Sequence, residues 1–277
     1  MKLSLSMLLI TLVGGCAAPM PAEDPSGWYE SGAPLDVTEY VEYTGQAYDF
    51  PAGNEDTIAR LKQLGLPADA YDIALAPDDR YAAGTTCDFA GNTNLPRVIE
   101  GRVTIHPRLY LKTDGCDRSS DEKYYGSYFL EDRTGGILVL GDSKVAHFDS
   151  GDWVKLLVRG TRKTYDLPMV YSHDVLEVVR GPEPIYFQTR TTAFTLADIG
   201  ATWRVTGEVL TNPDTFGQFT LQGDGGVVFT ATIDSELSRR GFTVEPGMRV
   251  QATGPLIYSY STYSLILMRR GQVEILD

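Results

Sequence analysis

The sequence is poor in the residues on which most enzymes and metalloproteins depend. It holds only three cysteines and three histidines among 277 residues. It has no Gly-x-Ser-x-Gly motif, and Ser172-His173-Asp174 offers only the residue types of a catalytic triad. Neighbours on a strand point to opposite faces, so these three cannot relay a proton along a line. We therefore predict a protein that is not an enzyme and uses no cofactor.

Metal-binding patterns are also scarce. Cys87 and Cys116 stand alone, without the C-x-x-C clustering of zinc sites. The acidic residues do not follow the alternating pattern of a calcium loop. We predict no metal site, although a metal-binding envelope protein stays open as an alternative because the histidines fall within one predicted domain: His106, His147 and His173.

Long apolar runs are missing as well. The apolar run of residues 3–13 is far shorter than the ~20 residues that span a bilayer. It follows the basic start Met1-Lys2 and precedes Gly14-Gly15, a pattern typical of a secretory signal peptide. The sequence therefore predicts export and no membrane-spanning helix at this end.

Val13-Gly14-Gly15-Cys16 resembles the lipobox of bacterial lipoproteins. The resemblance implies that residues 1–15 are a removed signal peptide and that Cys16 is lipidated as the first mature residue. Ala17 resembles the outer-membrane sorting signal of enteric-type bacteria, so we expect a lipid anchor in the outer membrane, on its periplasmic or surface face. An ordinary secretory signal with a chance cysteine is the alternative.

The two remaining cysteines are expected to form a disulfide. If Cys16 carries lipid, Cys87 and Cys116 are left as an even pair in an oxidising compartment, where thiols usually pair. Closing this loop would stabilise the fold by roughly 3–4 kcal/mol on the chain-entropy model.

Negative charge is concentrated in the N-terminal third. Residues 16–96 hold 14 acidic and three basic residues, within a chain whose net charge is −13. A field of that sign repels phosphate backbones. On this ground nucleic acid is not expected as a partner.

Two regions precede the β-rich part of the chain. Residues 16–53 are small, proline-rich and acidic, which predicts a solvated, lipidated tether. Residues 54–96 form an acidic region with a short helix, for which Asn54 is the predicted N-cap and Gly65 and Pro67 the stop signals. A helix this short needs a docking partner to persist.

Residues 97–183 and 197–277 carry the same landmarks in the same order, which indicates an internal repeat. Alternating β-branched and aromatic residues between the landmarks predict strands, five in each copy. Two unrelated all-β stretches are the alternative. The matched positions are Gly101 and Gly207, the pairs Gly135-Gly136 and Gly225-Gly226, Gly151 and Gly247, and the closing acids Glu177 and Glu274.

The strand order of each copy resembles the OB-fold: three strands with a glycine-pair turn, a linking segment, and two more strands. In the second copy Asp234 and Gly241 bracket a linking helix of the kind that plugs an OB barrel. The predicted fold class is mainly β, with two tandem five-stranded OB-like barrels. The chain thus resembles the tandem OB-like modules of bacterial envelope lipoproteins, in families of unknown function.

Aromatic and basic residues on the predicted strands are candidate ligand contacts. Aromatics beside cations suit single-stranded nucleic acid or sugar stacking, and alternating tyrosines suit a protein or glycan partner. Packing between the two barrels is the competing interpretation. We favour it for the candidates in the first barrel, and for those in the second barrel both interpretations stay open. The candidates are Tyr125, Tyr128, Arg133 and Arg159 in the first barrel, and Tyr258 and Tyr260 in the second.

Taken together, these features predict a lipid-anchored cell-envelope binding or structural protein without catalysis. Its expected partners are the membrane, through the anchor, and an envelope protein or glycan. An OB-fold oligonucleotide- or oligosaccharide-binding protein that uses the first barrel is the main alternative.

Overall fold

A computed structural model describes twelve segments of the chain: residues 40–43, 56–63, 96–105, 113–114, 123–124, 128–139, 150–164, 167–179, 184–234, 237–238, 241–259 and 261–276. Cys16, Cys87 and Cys116 lie outside them, so the predicted lipidation and disulfide stay predictions.

The described residues are mostly strands. A short helix, α1, spans Ile58–Gln63, residues 237–238 are also helical, and 3-10 turns cover Leu196–Asp198 and Arg270–Gln272. The strands are β1 (Tyr40–Glu42), β2 (Arg97–Val103), β3 (Thr113–Asp114), β4 (Lys123–Tyr124), β5 (Tyr128–Asp132), β6 (Gly135–Val139), β7 (Trp153–Thr164), β8 (Leu167–Val179), β9 (Ile185–Thr189), β10 (Thr202–Val209), β11 (Gln218–Gly223), β12 (Val228–Ile233), β13 (Arg249–Ser259), β14 (Thr262–Leu267) and β15 (Val273–Leu276).

Both copies of the repeat close into barrels of the same connectivity. Barrel 1 runs in the order β2-β5-β6-β8-β7, with β2 and β7 paired to close it. Barrel 2 runs β10-β11-β12-β14-β13, closed by β10 and β13. In each barrel the third and fifth strands are parallel and the other neighbours antiparallel. This is OB-like topology, so the predicted mainly β fold class is confirmed.

The barrels differ in the fifth strand, which is continuous in barrel 1 and interrupted in barrel 2. In barrel 1, β8 pairs with β7 along its length. In barrel 2, β14 pairs with one part of β13 and β15 pairs with another part. The matched acids Glu177 and Glu274 occupy equivalent positions in the two barrels. Each precedes a residue that faces a valine of the fourth strand: Val178 faces Val154, and Ile275 faces Val250.

Gln272 fixes the interruption in barrel 2. Its buried side chain accepts hydrogen bonds from the Met268 and Arg269 amides and donates to the Thr253 and Ile266 carbonyls. Its oxygen and both of its amide hydrogens are thus used, which satisfies a buried polar group that would otherwise be costly.

Helix α1 docks into barrel 1 and begins later than predicted. Ile58 and Leu61 belong to the barrel 1 core. The Ile58 amide donates to Asp132 at 2.8 Å, and Thr57 accepts from the Arg60 amide at 3.2 Å. The predicted N-cap, Asn54, is therefore wrong, because Thr57 precedes the helix and the Asp132 carboxylate at the end of β5 satisfies its first amide.

The stretch predicted as a tether contains a strand. Strand β1 pairs in parallel with β9, and β9 pairs in parallel with β10, which extends the barrel 2 sheet. The Tyr43 amide donates to the Phe187 carbonyl at 2.7 Å, and Thr189 donates to Glu42 at 2.8 Å. A tether interpretation of residues 40–43 is therefore wrong, because their backbone groups find partners in a sheet.

The two barrels share an apolar contact, here called the seam. It unites side chains of barrel 1 with side chains of barrel 2 and of the turn before it: Ile105, Phe129, Leu138, Leu167 and Met169 with Ile199, Ile257, Ile266 and Met268. All are buried, so the seam is a third core between the barrels.

Two glycines bring the backbones together at one end of the seam. A Cβ on Gly136 would collide with the Gly200 carbonyl, and a Cβ on Gly200 would collide with the Gly136 carbonyl. Gly200 also has a φ of +88°, which L side chains rarely adopt. At the same close approach, the Lys62 ammonium group of α1 donates hydrogen bonds to the Gly136 carbonyl at 3.1 Å and to the Ile199 carbonyl at 2.7 Å.

Replacing Gly200 by alanine should destabilise the protein more than the same change at Gly247. Both glycines have a φ of +88°, but nothing lies within 4 Å of a Cβ on Gly247. We expect Gly247→Ala to cost about 1–2 kcal/mol through its backbone conformation, and Gly200→Ala to cost about 1–3 kcal/mol more through the collision. Urea unfolding of the two variants measures the difference, and equal losses would contradict the close approach.

Candidate ligand-binding face of barrel 2

The structure separates the candidate ligand residues of barrel 1. Tyr128 lies in the barrel 1 core, where burial raises its pKa and its hydroxyl is 3.5 Å from His173 Nε2. Arg133 is exposed in the β5–β6 turn. Arg159 lies on β7, but its side chain is outside the described part of the structure. Tyr125 lies outside that part entirely. Tyr128 and Arg133 therefore do not share a surface.

Of the two candidates in barrel 2, Tyr258 lies beside the seam. Tyr258 is half-buried, packs against the seam, and has its ring centroid 4.6 Å from that of Tyr263. Tyr260 lies outside the described residues. For Tyr258, the structure shows the packing role that competed with ligand binding.

The face of barrel 1 on which OB-folds usually bind is covered. That face belongs to the second and third strands, here β5 and β6. Its outward side chains Phe129 and Leu138 belong to the seam. Glu131 accepts hydrogen bonds from the Thr202 amide at 3.1 Å and its hydroxyl at 2.7 Å. Barrel 2 therefore occupies this face of barrel 1.

The corresponding face of barrel 2 is open. On β11 and β12 the inward side chains, such as Phe219 and Ala231, are fully buried in the barrel core. The outward ones alternate with them and are half-buried or exposed: Gln218, Thr220, Gln222, Val228, Thr230 and Thr232. Because the pleat alternates strictly, these six form one continuous outer surface, here called the Thr/Gln face.

Hydrogen bonds organise the hydroxyls along this face. Thr211 accepts from the Thr220 amide at 3.0 Å, and the two hydroxyls lie 3.2 Å apart. Thr232 and Ser264 hydroxyls lie 2.7 Å apart at the side where β14 begins to enter the seam. The face therefore runs from the loop before β11 to the edge of barrel 1.

The loop of residues 210–217 borders the Thr/Gln face and is held by Asp214. Its carboxylate accepts from the Phe216 and Gln218 amides, both at 2.8 Å, and its carbonyl accepts from Gly217 at 3.0 Å. Gly217 has a φ of +78° and packs against Ile233. This geometry leaves the Phe216 side chain 80% exposed.

Neither the loop nor the Thr/Gln face is among the candidate sites that the sequence suggests. The available signal was Asp214 followed by Gly217, a combination typical of a structured turn, directly before a strand with hydroxyl and amide residues at alternate positions.

The charges carried by the strands and turns that form this face are few and negative. Residues 205–234 include no lysine or arginine, and their acids are Glu208, Asp214, Asp224 and Asp234. Asp224 is paired with Arg249 at 2.6 Å, at the end of the barrel away from Phe216. The Thr/Gln face itself carries no formal charge.

Titratable groups with strongly shifted pKa values lie in barrel 1 and on β1, where burial raises the pKa of Tyr40 to about 12. Burial raises the pKa of Glu131 to about 7, opposed by its hydrogen bonds from Thr202. Burial lowers the pKa of His173 to about 4. Within the described residues no three His, Cys, Asp or Glu side chains gather as a metal site would require. In the same part of the chain, no helix is long and apolar enough to cross a membrane.

Comparisons with known proteins found structures but no family. No protein-family model and no curated protein matches the chain. The S. pombe Stn1–Ten1 complex matches with 22% identity, over 27% of this chain and 57% of that chain, at a TM-score of 0.22. A murine DNA-binding protein bound with double-stranded DNA matches with 8% identity over 65% and 97%, at 0.31. A replication protein A heterotrimer bound to single-stranded DNA matches with 12% identity over 65% and 48%, at 0.31.

These matches bear on one prediction about partners. The structures found include DNA-bound proteins, which contradicts the expectation that nucleic acid is not a partner, and we withdraw it. The low TM-scores leave the OB-like assignment of this chain resting on its own strand topology.

Glu131 and His173 should give the free energy of unfolding opposite dependences on pH. The fold favours neutral Glu131, so its contribution is lost as pH rises from 4.5 to about 7. The fold also favours neutral His173, so that contribution is lost as pH falls from 6.5 to about 4. Glu131→Gln should therefore gain on the order of 3 kcal/mol relative to the parent between pH 4 and 8.

Urea unfolding at several pH values measures this gain. His173→Gln is the matched control, since its stability relative to the parent should rise as pH falls. Parallel curves for the parent and Glu131→Gln would contradict the buried environment of Glu131.

Proposed function

We propose that this protein is an OB-fold binding protein without a catalytic step, and that its ligand lies on the Thr/Gln face of barrel 2. One observation carries the proposal: the equivalent face of barrel 1 is buried in the seam, whereas that of barrel 2 is open. OB barrels bind oligomers on this face and its neighbouring loops. The site proposed here therefore differs from the barrel 1 site that the sequence suggested.

In this proposal barrel 1 acts as a support. Its core holds α1, and its β5–β6 face holds barrel 2 through the seam and the Glu131–Thr202 hydrogen bonds. A ligand on barrel 2 would thus meet a surface whose position is fixed by packing, which limits the ordering cost of binding.

Thr230→Glu tests where the ligand binds. Thr230 lies at the centre of the Thr/Gln face, opposite Thr220, and its side chain points outward. Neutral oligosaccharides and single-stranded oligonucleotides are titrated against the full chain by calorimetry. Any ligand found should lose at least about tenfold in affinity, while stability changes by only about 0.5 kcal/mol.

Thr243→Glu is the matched control for this experiment, because Thr243 is exposed in the link between β12 and β13 and lies off the face. Its affinity should equal that of the parent. A ligand that binds the parent and Thr230→Glu equally would place the site elsewhere and refute the proposal.

We also propose that the protein is anchored by lipid at Cys16 in the bacterial outer membrane. The support is the lipobox-like Val13-Gly14-Gly15-Cys16, preceded by a basic start and a short apolar run. A lipid anchor alone would tether the chain without a spanning segment.

Cys16→Ser should move the protein out of the membrane fraction or leave it as uncleaved precursor, because the lipid acceptor is gone. Cys87→Ser is the matched control and should remain in the membrane fraction. Intact mass of the mature parent protein should include a diacylglycerol and an acyl group. A mature chain without lipid mass would contradict the anchor.

A further inference from the structure

Hydroxyl and amide side chains are arranged in rows on the Thr/Gln face. Thr220 on β11 stands opposite Thr230 on β12, and Thr211 lies beside Thr220 with their hydroxyls 3.2 Å apart. Gln218 stands opposite Thr232 in the next row. Neighbouring strands lie about 4.8 Å apart, so each row presents polar groups at intervals that suit a chain of hydroxyl-bearing rings.

These side chains both donate and accept hydrogen bonds. A threonine hydroxyl and a glutamine amide each offer both functions, as do the hydroxyls of a sugar. An uncharged ligand rich in hydroxyls can therefore either donate or accept a hydrogen bond at each of these positions. Burying such groups is favourable only when they find partners.

Apolar side chains border the polar rows. Phe216 is 80% exposed at the end near Gln218, Val228 is 56% exposed at the opposite end, and Leu210 is 41% exposed beside Thr220. A pyranose ring has an apolar C–H surface as well as polar hydroxyls. The electron-rich face of an aromatic ring attracts such C–H groups, which gives Phe216 a role as a stacking platform.

The charge of the face narrows the class of ligand further. No lysine or arginine occurs in residues 205–234. Proteins recognise phosphate and carboxylate groups mainly through those two residues. The six side chains of the Thr/Gln face carry no charge themselves, so the face is complementary to a neutral oligomer.

We propose that the Thr/Gln face of barrel 2 binds a neutral oligosaccharide, with Thr220, Thr230 and the neighbouring glutamines as hydrogen-bonding groups and Phe216 as the stacking platform. This inference rests on the proposed function and names the ligand class of the same site.

Calorimetric titration of the full chain with cellohexaose, maltohexaose and chitohexaose tests the inference, with oligo(dT) in a parallel arm. At least one hexasaccharide should bind. Thr220→Val and Thr230→Val each remove a hydroxyl while keeping the β-branched shape, and each should weaken binding about three- to tenfold. Phe216→Ala should weaken it about tenfold or more. Thr243→Val, the same change off the face, should leave the affinity unchanged.

The outcomes separate this inference from the proposed function. If oligo(dT) binds and loses affinity in Thr230→Glu while no hexasaccharide binds, the site stands and the neutral-sugar assignment is overturned. If a hexasaccharide binds with equal affinity to Thr220→Val, Thr230→Val, Phe216→Ala and Thr230→Glu, both the assignment and the site are overturned. If nothing binds in either arm, the inference is overturned as well.

Discussion

The contact between Gly136 and Gly200 is the constraint on which the arrangement of the two barrels depends. Only residues without a Cβ allow the two backbones to approach this closely. With the backbones in contact, Lys62 can reach carbonyls on both sides, and Glu131 can accept two hydrogen bonds from Thr202. The apolar seam then excludes water next to these polar groups, which strengthens each hydrogen bond and makes its loss costly.

The same contact makes two similar barrels unequal. Each barrel has an outward face on its second and third strands. In barrel 1 this face carries Phe129 and Leu138 and is buried, whereas in barrel 2 it carries threonine and glutamine and is open. The two repeats thus use the same surface differently: in barrel 1 it is an internal contact, and in barrel 2 it is open.

The barrels themselves were predictable, because strand alternation and turn glycines are local features. Gly151 and Gly247 both have a φ near +88°, as turns into the fourth strand require. The interruption at Gln272 was not predictable. Three of its four hydrogen bonds join it to residues 266–269, but the fourth reaches Thr253 on β13, which lies beside it only in the fold. The start of α1 was misplaced for a similar reason: its first amide is satisfied by Asp132, 74 residues away.

The candidate site was harder to foresee than the fold. Alternation showed that Tyr128 and Phe129 face opposite sides, but it cannot tell which outward face another domain will cover. In the structure one side is the barrel core and the other is the seam, so neither is free. Threonine and glutamine on β11 and β12 are also what an ordinary solvated strand displays. These side chains stand out as a candidate site only by comparison with barrel 1, where the equivalent face is buried.

The attachment of β1 and α1 to later parts of the chain sets the order in which the protein can fold. Asp132, which accepts a hydrogen bond from the Ile58 amide, follows it by 74 residues in the chain. Thr189, which donates to Glu42, follows it by 147 residues. Contacts of such long sequence separation form late and slow folding. Helix α1 can therefore dock only after the end of β5 is in place, and β1 can pair only with β9, which follows barrel 1 in the chain. The first described part of the chain is thus among the last to fold.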